Sequence, residues 1–165
     1  MDGSNRDVTL SIRRAATSDI ETLAGLLSYV DQVHQAYDRR QIRQGPPQHA
    51  SREHLARGVV DPATVALVGE SSRGLVGFAR MEIKNTNGNR LFNPMRLAIV
   101  HEVVVAESHG RKGVGTALME ALHTEARAAG AQRIQLEHYS ANAAASHLYA
   151  KLGYATMRFV CVKDL

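Results

Sequence analysis

The chain has 165 residues, 44% of them hydrophobic and 22% charged, with a formal charge of +4. That size suits one compact domain, and the composition argues against intrinsic disorder. No apolar run approaches the roughly 18 residues that would span a bilayer, and the basic residues are scattered rather than gathered into a nucleic-acid stripe. The N-terminal stretch MDGSNRDVTLSIRRA lacks the apolar segment of a secretion signal, so a cytoplasmic protein is expected, neither membrane-bound nor nucleic-acid-binding. Cys161 is the only cysteine. An intrachain disulfide and a thiolate metal cage are therefore excluded, and a buried free thiol is expected.

In chain order, residues 1–7 read as a disordered leader and 8–165 as a single domain. Val8 to Arg13 alternates like a strand. Ser18 and Glu21 have the spacing of a capping box, opening a helix whose apolar positions are Ile20, Leu23, Ala24, Leu27 and Val30. Gln44-Gly45-Pro46-Pro47 breaks regular structure, and Ser51 to Gly58 reads as a short helix. Three β-type runs follow: TVALVGE, GLVGFARMEIK and RLAIVHEVVV. Asn87-Gly88, a dipeptide suited to positive φ, lies in the connection between the last two. A helix is predicted from Gly113 to Ala129, stopped by Gly130. Strand RIQLEHY, helix Ala143 to Lys151 and strand YATMRFVCV complete the chain. Antiparallel strands followed by strand–helix–strand units predict an α+β fold with a mixed, mostly antiparallel sheet flanked by helices.

The segment VVVAESHGRKGVGTAL runs from an apolar strand through a short loop into a glycine-spaced helix start. Main-chain N–H groups at such a start lack intrahelical partners. Glycines at 110, 113 and 115 let a phosphate approach the backbone, and the helix dipole favours negative charge there. Arg111 and Lys112 oppose that dipole, by ~0.3–1 kcal/mol each when exposed, and a bound anion would remove the conflict. The segment matches neither G-x-G-x-x-G nor G-x-x-x-x-G-K-[ST], which argues against dinucleotide and P-loop sites.

These residues resemble the GCN5-related N-acetyltransferase (GNAT) superfamily. Its central motif is Arg or Gln, two residues, Gly, one residue, then Gly or Ala. Gly113, Val114 and Gly115 match the end of that motif, whereas Gly110 stands at the Arg/Gln position and Arg111 is one place later. A second stretch, Asn142 through Leu148-Tyr149 to Gly153-Tyr154, resembles the family's N-x-x-A-x-x-L-Y-x-x-x-G-F/Y. The likeness implies a splay between the fourth strand, ending at Val105, and the fifth, holding Leu136, where the pantetheine arm of acetyl-CoA inserts. It implies that Val103, Val104 and Val105 face the thioester through main-chain N–H groups. Gly110, Arg111, Lys112, Gly113, Val114, Gly115 and Thr116 would hold the diphosphate. Asn142 would touch the pantetheine arm, with a plain helix cap as its other reading.

The implied reaction is direct acetyl transfer to a primary amine, with a small molecule as acceptor. Protein N-terminal or lysine acetylation and an inactive CoA-binding module are the alternatives. No metal site is expected. An amine must lose protons to attack, and the leaving thiolate must gain one. Tyr149 matches the family's general acid. For the base, Glu102 lies in a strand apolar on both faces, where burial should raise its pKa. Glu137 and His101 are the other candidates. His34, Tyr37, His49 and His54 are candidates for lining an acceptor pocket, and a homodimer is among the assemblies the family adopts.

Overall fold

The computed structural model describes residues 9–42 and 48–164, with backbone alone at 48–50. The predicted leader 1–7, Val8, the Gln44–Pro47 breaker and the His49 side chain lie outside the described residues. Five strands, β1 (Ser11–Arg14), β2 (Thr64–Ser71), β3 (Gly74–Thr86), β4 (Met95–Val105) and β5 (Arg133–Leu136), form one sheet in that order. The first four are antiparallel, and β5 runs parallel to β4. Four helices complete the fold: α1 (Ile20–Tyr37), α2 (Gln48–Val60), α3 (Val114–Ala128) and α4 (Ala143–Lys151). Among the described residues no helix is long and apolar enough to cross a membrane.

The central strands are apolar on both faces because both faces are covered. On one face Leu67, Ala79, Met81, Ala98 and Val100 pack against Val114, Leu118, Met119 and Leu122 of α3. On the other, Ala66, Val68, Phe78 and Val104 meet Leu23, Ala24 and Leu27 of α1 and Leu55 of α2. Gly77 sits beneath α3, where an added Cβ would lie 2.8 Å from Val114 Cγ1 and 2.9 Å from Leu118 Cδ1. The missing side chain lets the start of α3 seat directly on the sheet.

Several sequence expectations change locally. Glu21 bonds Arg52 on α2 instead of closing a capping box with Ser18. The chain enters α1 through buried Asp19, whose carboxylate accepts from Arg13 Nη1 and Nη2 and from the Ala16 N–H at 2.8–3.0 Å. Gly88 does not have a positive φ. Its Cβ would fall 2.6 Å from Pro94 Cδ, so close packing excludes a side chain there. Strand β5 stops at Leu136 rather than continuing to Tyr139. Residues 154–162 form no strand, and Phe159 and Val160 are almost wholly exposed. A strand needs a hydrogen-bonding neighbour, and this segment is paired with none. Cys161 is free but exposed, contrary to the buried thiol expected.

Bonding to Arg13, together with the Ala16 N–H, holds the Asp19 carboxyl below the usual carboxylate range despite burial. A depressed folded-state pKa contributes stability above the unfolded value near 4 that is lost as pH falls through the folded value. Asp19→Asn should therefore lower stability by about 1–3 kcal/mol at neutral pH. In urea titrations at successive pH values, the difference from wild type should shrink below about pH 4.

Candidate active site

The pairing of β4 with β5 ends at Val100 and Leu136, while β4 itself continues to Val105. This is the splay expected between the fourth and fifth strands. Ala106 N–H donates to the Val76 carbonyl, continuing the antiparallel ladder of β3 and β4. Alternation along that ladder turns the main-chain groups of Glu102 and Val104 toward β3 and those of Val103 and Val105 toward the opening. Of the three valines, Val104 is therefore no donor to the opening, and its side chain is buried against α1 and α2. Val103 and Val105 keep donors and acceptors there.

Beyond β4 a 3-10 turn, Glu107–His109, leads to the loop before α3. Arg111 and Gly113 both adopt the left-handed conformation, at φ 59° and 84°. Gly113 is the N-cap of α3 and offers no capping side chain. The N–H groups of residues 111 to 116 consequently have no protein acceptor among the described residues. Lys112 folds back onto the Ser108 carbonyl at 2.9 Å, and Arg111 is exposed. The glycines act separately. Gly113 supplies the left-handed turn, Gly115 passes close to Leu148 of α4 (3.2 Å from an added Cβ), and Gly110 has an ordinary φ of −57°. Unpartnered donors, a helix start and basic neighbours suit a diphosphate.

Helix α4 places Tyr149 on the α3 side of the sheet, against the same core cluster that Val103, Val105 and Leu136 pack on. Its ring packs against His138 at 5.4 Å and Tyr154 at 5.7 Å, and burial pushes the phenol above its ordinary pKa. Its hydroxyl has no hydrogen-bond partner among the described residues. Burial and nearby Tyr149 push Tyr154 up to about 12, and its hydroxyl meets His123 Nε2 at 2.8 Å. Asn142 caps α4, its Oδ1 accepting from Ala145 N–H at 3.0 Å, so the cap reading describes its side-chain oxygen. Glu137 lies just beyond β5 and is exposed.

The opposite face carries a charged cluster. Burial acts to raise the Glu102 pKa, but Arg80 and His54 outweigh it and hold the carboxyl below the usual range. The expected upward shift is thus reversed. Arg80 Nε donates to Oε2 at 2.5 Å, and His54 Nε2 meets Oε1 at 2.5 Å. His101 instead lies at a register break in β4, between Val100 and Glu102, with Nε2 3.2 Å from Glu82. Nearby on α1, burial raises the Asp31 pKa. His34 and Tyr37, 6.3 Å apart, pack against Tyr139, which follows β5, at 5.6 and 5.5 Å. A separate cleft of about 620 Å³, lined by residues such as Arg14, Thr64, Arg96 and Glu125, contains none of these groups.

The model of the acetyltransferase (GNAT) family matches residues 30–154. The chain belongs to this family. It is a GNAT acetyltransferase, and its mixed sheet with a parallel β4–β5 pair is the GNAT fold. The chain is similar to a single-site mutant of the BH1408 protein from Bacillus halodurans, with TM-score 0.89 and 20% identity over 94% of this chain and 99% of that one. An acetyltransferase from Trypanosoma brucei superposes with TM-score 0.68 and 22% identity over 95% and 100%. The aminoglycoside N-acetyltransferase AAC(6')-Iy in complex with CoA gives TM-score 0.72 and 15% identity over 98% and 97%. No curated protein matches in sequence.

Arg80, Asp31 and Tyr139 of this GNAT chain join the cluster only in the folded structure. A signal for Arg80 was present: a lone cation inside the otherwise apolar run GFARM calls for a carboxylate partner. Nothing in sequence spacing locates that partner at Glu102 or brings Tyr139 to α1.

Gly113→Ala should destabilise the fold by roughly 1–2 kcal/mol because a Cβ disfavours φ near 84°. Gly110→Ala should cost less, under about 1 kcal/mol, because its φ of −57° suits any residue and an added Cβ would crowd only the Glu107 carbonyl oxygen, at 3.3 Å. Thermal or urea unfolding of the two variants checks this contrast.

Proposed function

We propose that this protein transfers the acetyl group of acetyl-CoA directly to a primary amine of a small molecule. The observation carrying the reading is the continuity of two unfilled donor sets. The N–H groups of residues 111–116 suit the diphosphate, and the opening beside Val103 and Val105 suits the pantetheine arm. Bound coenzyme would supply the acetyl group as an activated thioester. Gly110, Arg111, Lys112, Gly113, Val114, Gly115 and Thr116 form the diphosphate-binding segment. The Val103 N–H supplies a hydrogen bond to a carbonyl oxygen in the opening, and the Asn142 amide nitrogen, free of the cap, reaches the pantetheine arm.

Tyr149 is the general acid. Burial keeps its phenol protonated through neutral pH, and its unpartnered hydroxyl can donate to the departing sulfur. The proton acceptor belongs to the acidic and imidazole groups around Glu102, with Glu137 as the carboxylate on the far side of the opening. The acceptor binds toward His34, Tyr37 and Tyr139, where rings and Asp31 together suit a cationic amine. AAC(6')-Iy, an enzyme of the same fold with a small-molecule acceptor class, supports a small-molecule reading.

Incubation with acetyl-CoA and a panel of small amines and peptides should release thiol with at least one small amine. Turnover confined to peptides would overturn the small-molecule reading, and calorimetry showing no coenzyme A binding would overturn the cofactor assignment. Tyr149→Phe should lower kcat by about 10²-fold or more while leaving coenzyme A affinity nearly unchanged. Unchanged turnover would remove Tyr149 from the mechanism.

A further inference from the structure

We propose that His54 of α2 is the base that deprotonates the acceptor amine, with Glu102 and Arg80 as its positioning residues. This assignment rests on the acetyl-transfer reading above. Glu102 is spent as a proton acceptor in its own right. Oε2 takes the Arg80 Nε–H at 2.5 Å, and Oε1 takes both His54 Nε2 at 2.5 Å and Arg80 Nη2 at 3.3 Å. An ionised carboxylate only accepts, so at 2.5 Å His54 Nε2 must carry the hydrogen between them, and the 3.3 Å approach of Arg80 Nη2 to the same nitrogen is a contact of two donors rather than a hydrogen bond. In its neutral form the imidazole is thereby fixed in one tautomer, with its lone pair on Nδ1. The His54 side chain is 43% exposed against 19% for Glu102 and 13% for Arg80. The free nitrogen therefore belongs to the accessible member of the cluster.

The surroundings are shaped for this arrangement. Gly58 lies within α2, where glycine costs up to about 1 kcal/mol relative to alanine. A Cβ there would fall 2.8 Å from Arg80 Cδ. Gly58 therefore lets the Arg80 side chain pass beneath α2 to reach Glu102. The charged groups around His54 are Asp31 of α1, Arg80 of β3 and Glu102 of β4, and Asp31 is in turn coupled to His34. Two carboxylates outnumber the guanidinium, so a positive charge arriving on the ring is compensated. Glu102 directly precedes Val103, the residue whose main chain faces the opening, and Tyr149 lies on the opposite face of the sheet.

The proton inventory then closes. His54 Nδ1 takes one proton from the acceptor's ammonium group and releases it to solvent. The freed nitrogen lone pair forms the new C–N bond, and the electron pair of the broken C–S bond leaves on sulfur. His54 removes the second proton from nitrogen, Tyr149 donates one proton to sulfur and regains it from water. Nitrogen loses two protons and sulfur gains one, so one proton is released per acetyl group transferred.

The test follows thiol release from acetyl-CoA with tyramine, spermidine and neamine as acceptor probes between pH 5 and 9. His54→Gln should lower kcat by about 10²-fold or more and flatten the acidic limb of the wild-type profile. KM and coenzyme A affinity by calorimetry should change less than about 3-fold. Glu102→Gln, which leaves the imidazole without its carboxylate, should shift that limb without flattening it. Wild-type turnover with His54→Gln within about 3-fold and an unchanged acidic limb would overturn the base assignment alone. Coenzyme A binding without transfer to any probe would overturn the small-amine reading and the assignment with it. Nitrogen-15 NMR of the wild-type imidazoles gives a check independent of the variants: a neutral His54 protonated on Nδ1 would also overturn the proposal.

Discussion

Everything in the site depends on one termination. Strand β5 stops pairing at Leu136 while β4 runs on to Val105, and the stretch of β4 past Val100 is left with a neighbour on one side only. Unpaired main-chain groups inside a fold are costly unless something meets them. The ladder with β3 leaves Val103 and Val105 oriented into this gap. The next turns of chain bring further unpartnered N–H groups at the start of α3. A ligand that is a hydrogen-bonding chain at one end and a polyanion at the other satisfies both sets at once.

Keeping that gap in register requires the helices to be pinned close to it. Gly77 brings Val114 and Leu118 onto the sheet, and Gly115 brings α3 against Leu148 of α4, one residue before Tyr149. Thus the small residues at the helix start connect the unpartnered N–H groups there with the placement of the Tyr149 phenol. A larger side chain at 115 would press on Leu148, since an added Cβ already lies 3.2 Å from its Cδ2. Tyr149 is half-buried among His138 and Tyr154, so its orientation is set by ring packing rather than by a hydrogen bond.

How much of this was legible in the sequence depended on the range of the interactions involved. The β-type runs, α3 with its Gly130 stop and α4 with its Asn142 cap depend on neighbours a few residues away, and their patterns show in the chain. The glycine-spaced turn into α3 was legible for the same reason. Asp19 displaced the Ser18–Glu21 capping box because Arg13 and Arg52 offered stronger partners than the helix end did. The segment 154–162 has the composition of a strand, but composition supplies no pairing edge. Glu102 illustrates the limit most sharply. Its apolar neighbours argued for a raised pKa, whereas Arg80, 22 residues earlier in sequence, and His54, 48 residues earlier, reverse the direction.

The register break between Val100 and Glu102 explains why Glu102 and Tyr149 fall on opposite faces of the sheet. Upstream of it, Ala98 and Val100 point toward α3; downstream, Val103 and Val105 point that way, while Val104 faces α1 and α2. Side chains alternate with a period of two, so uninterrupted pairing would have turned Glu102 toward α3 along with Val100. The one extra residue, His101, reverses the alternation and sets Glu102 opposite Arg80 beneath α2. Tyr149 stays on the α3 side. A single inserted residue in β4 therefore separates the Tyr149 phenol from the Glu102–His54 pair across the sheet, with the open main chain of Val103 between them.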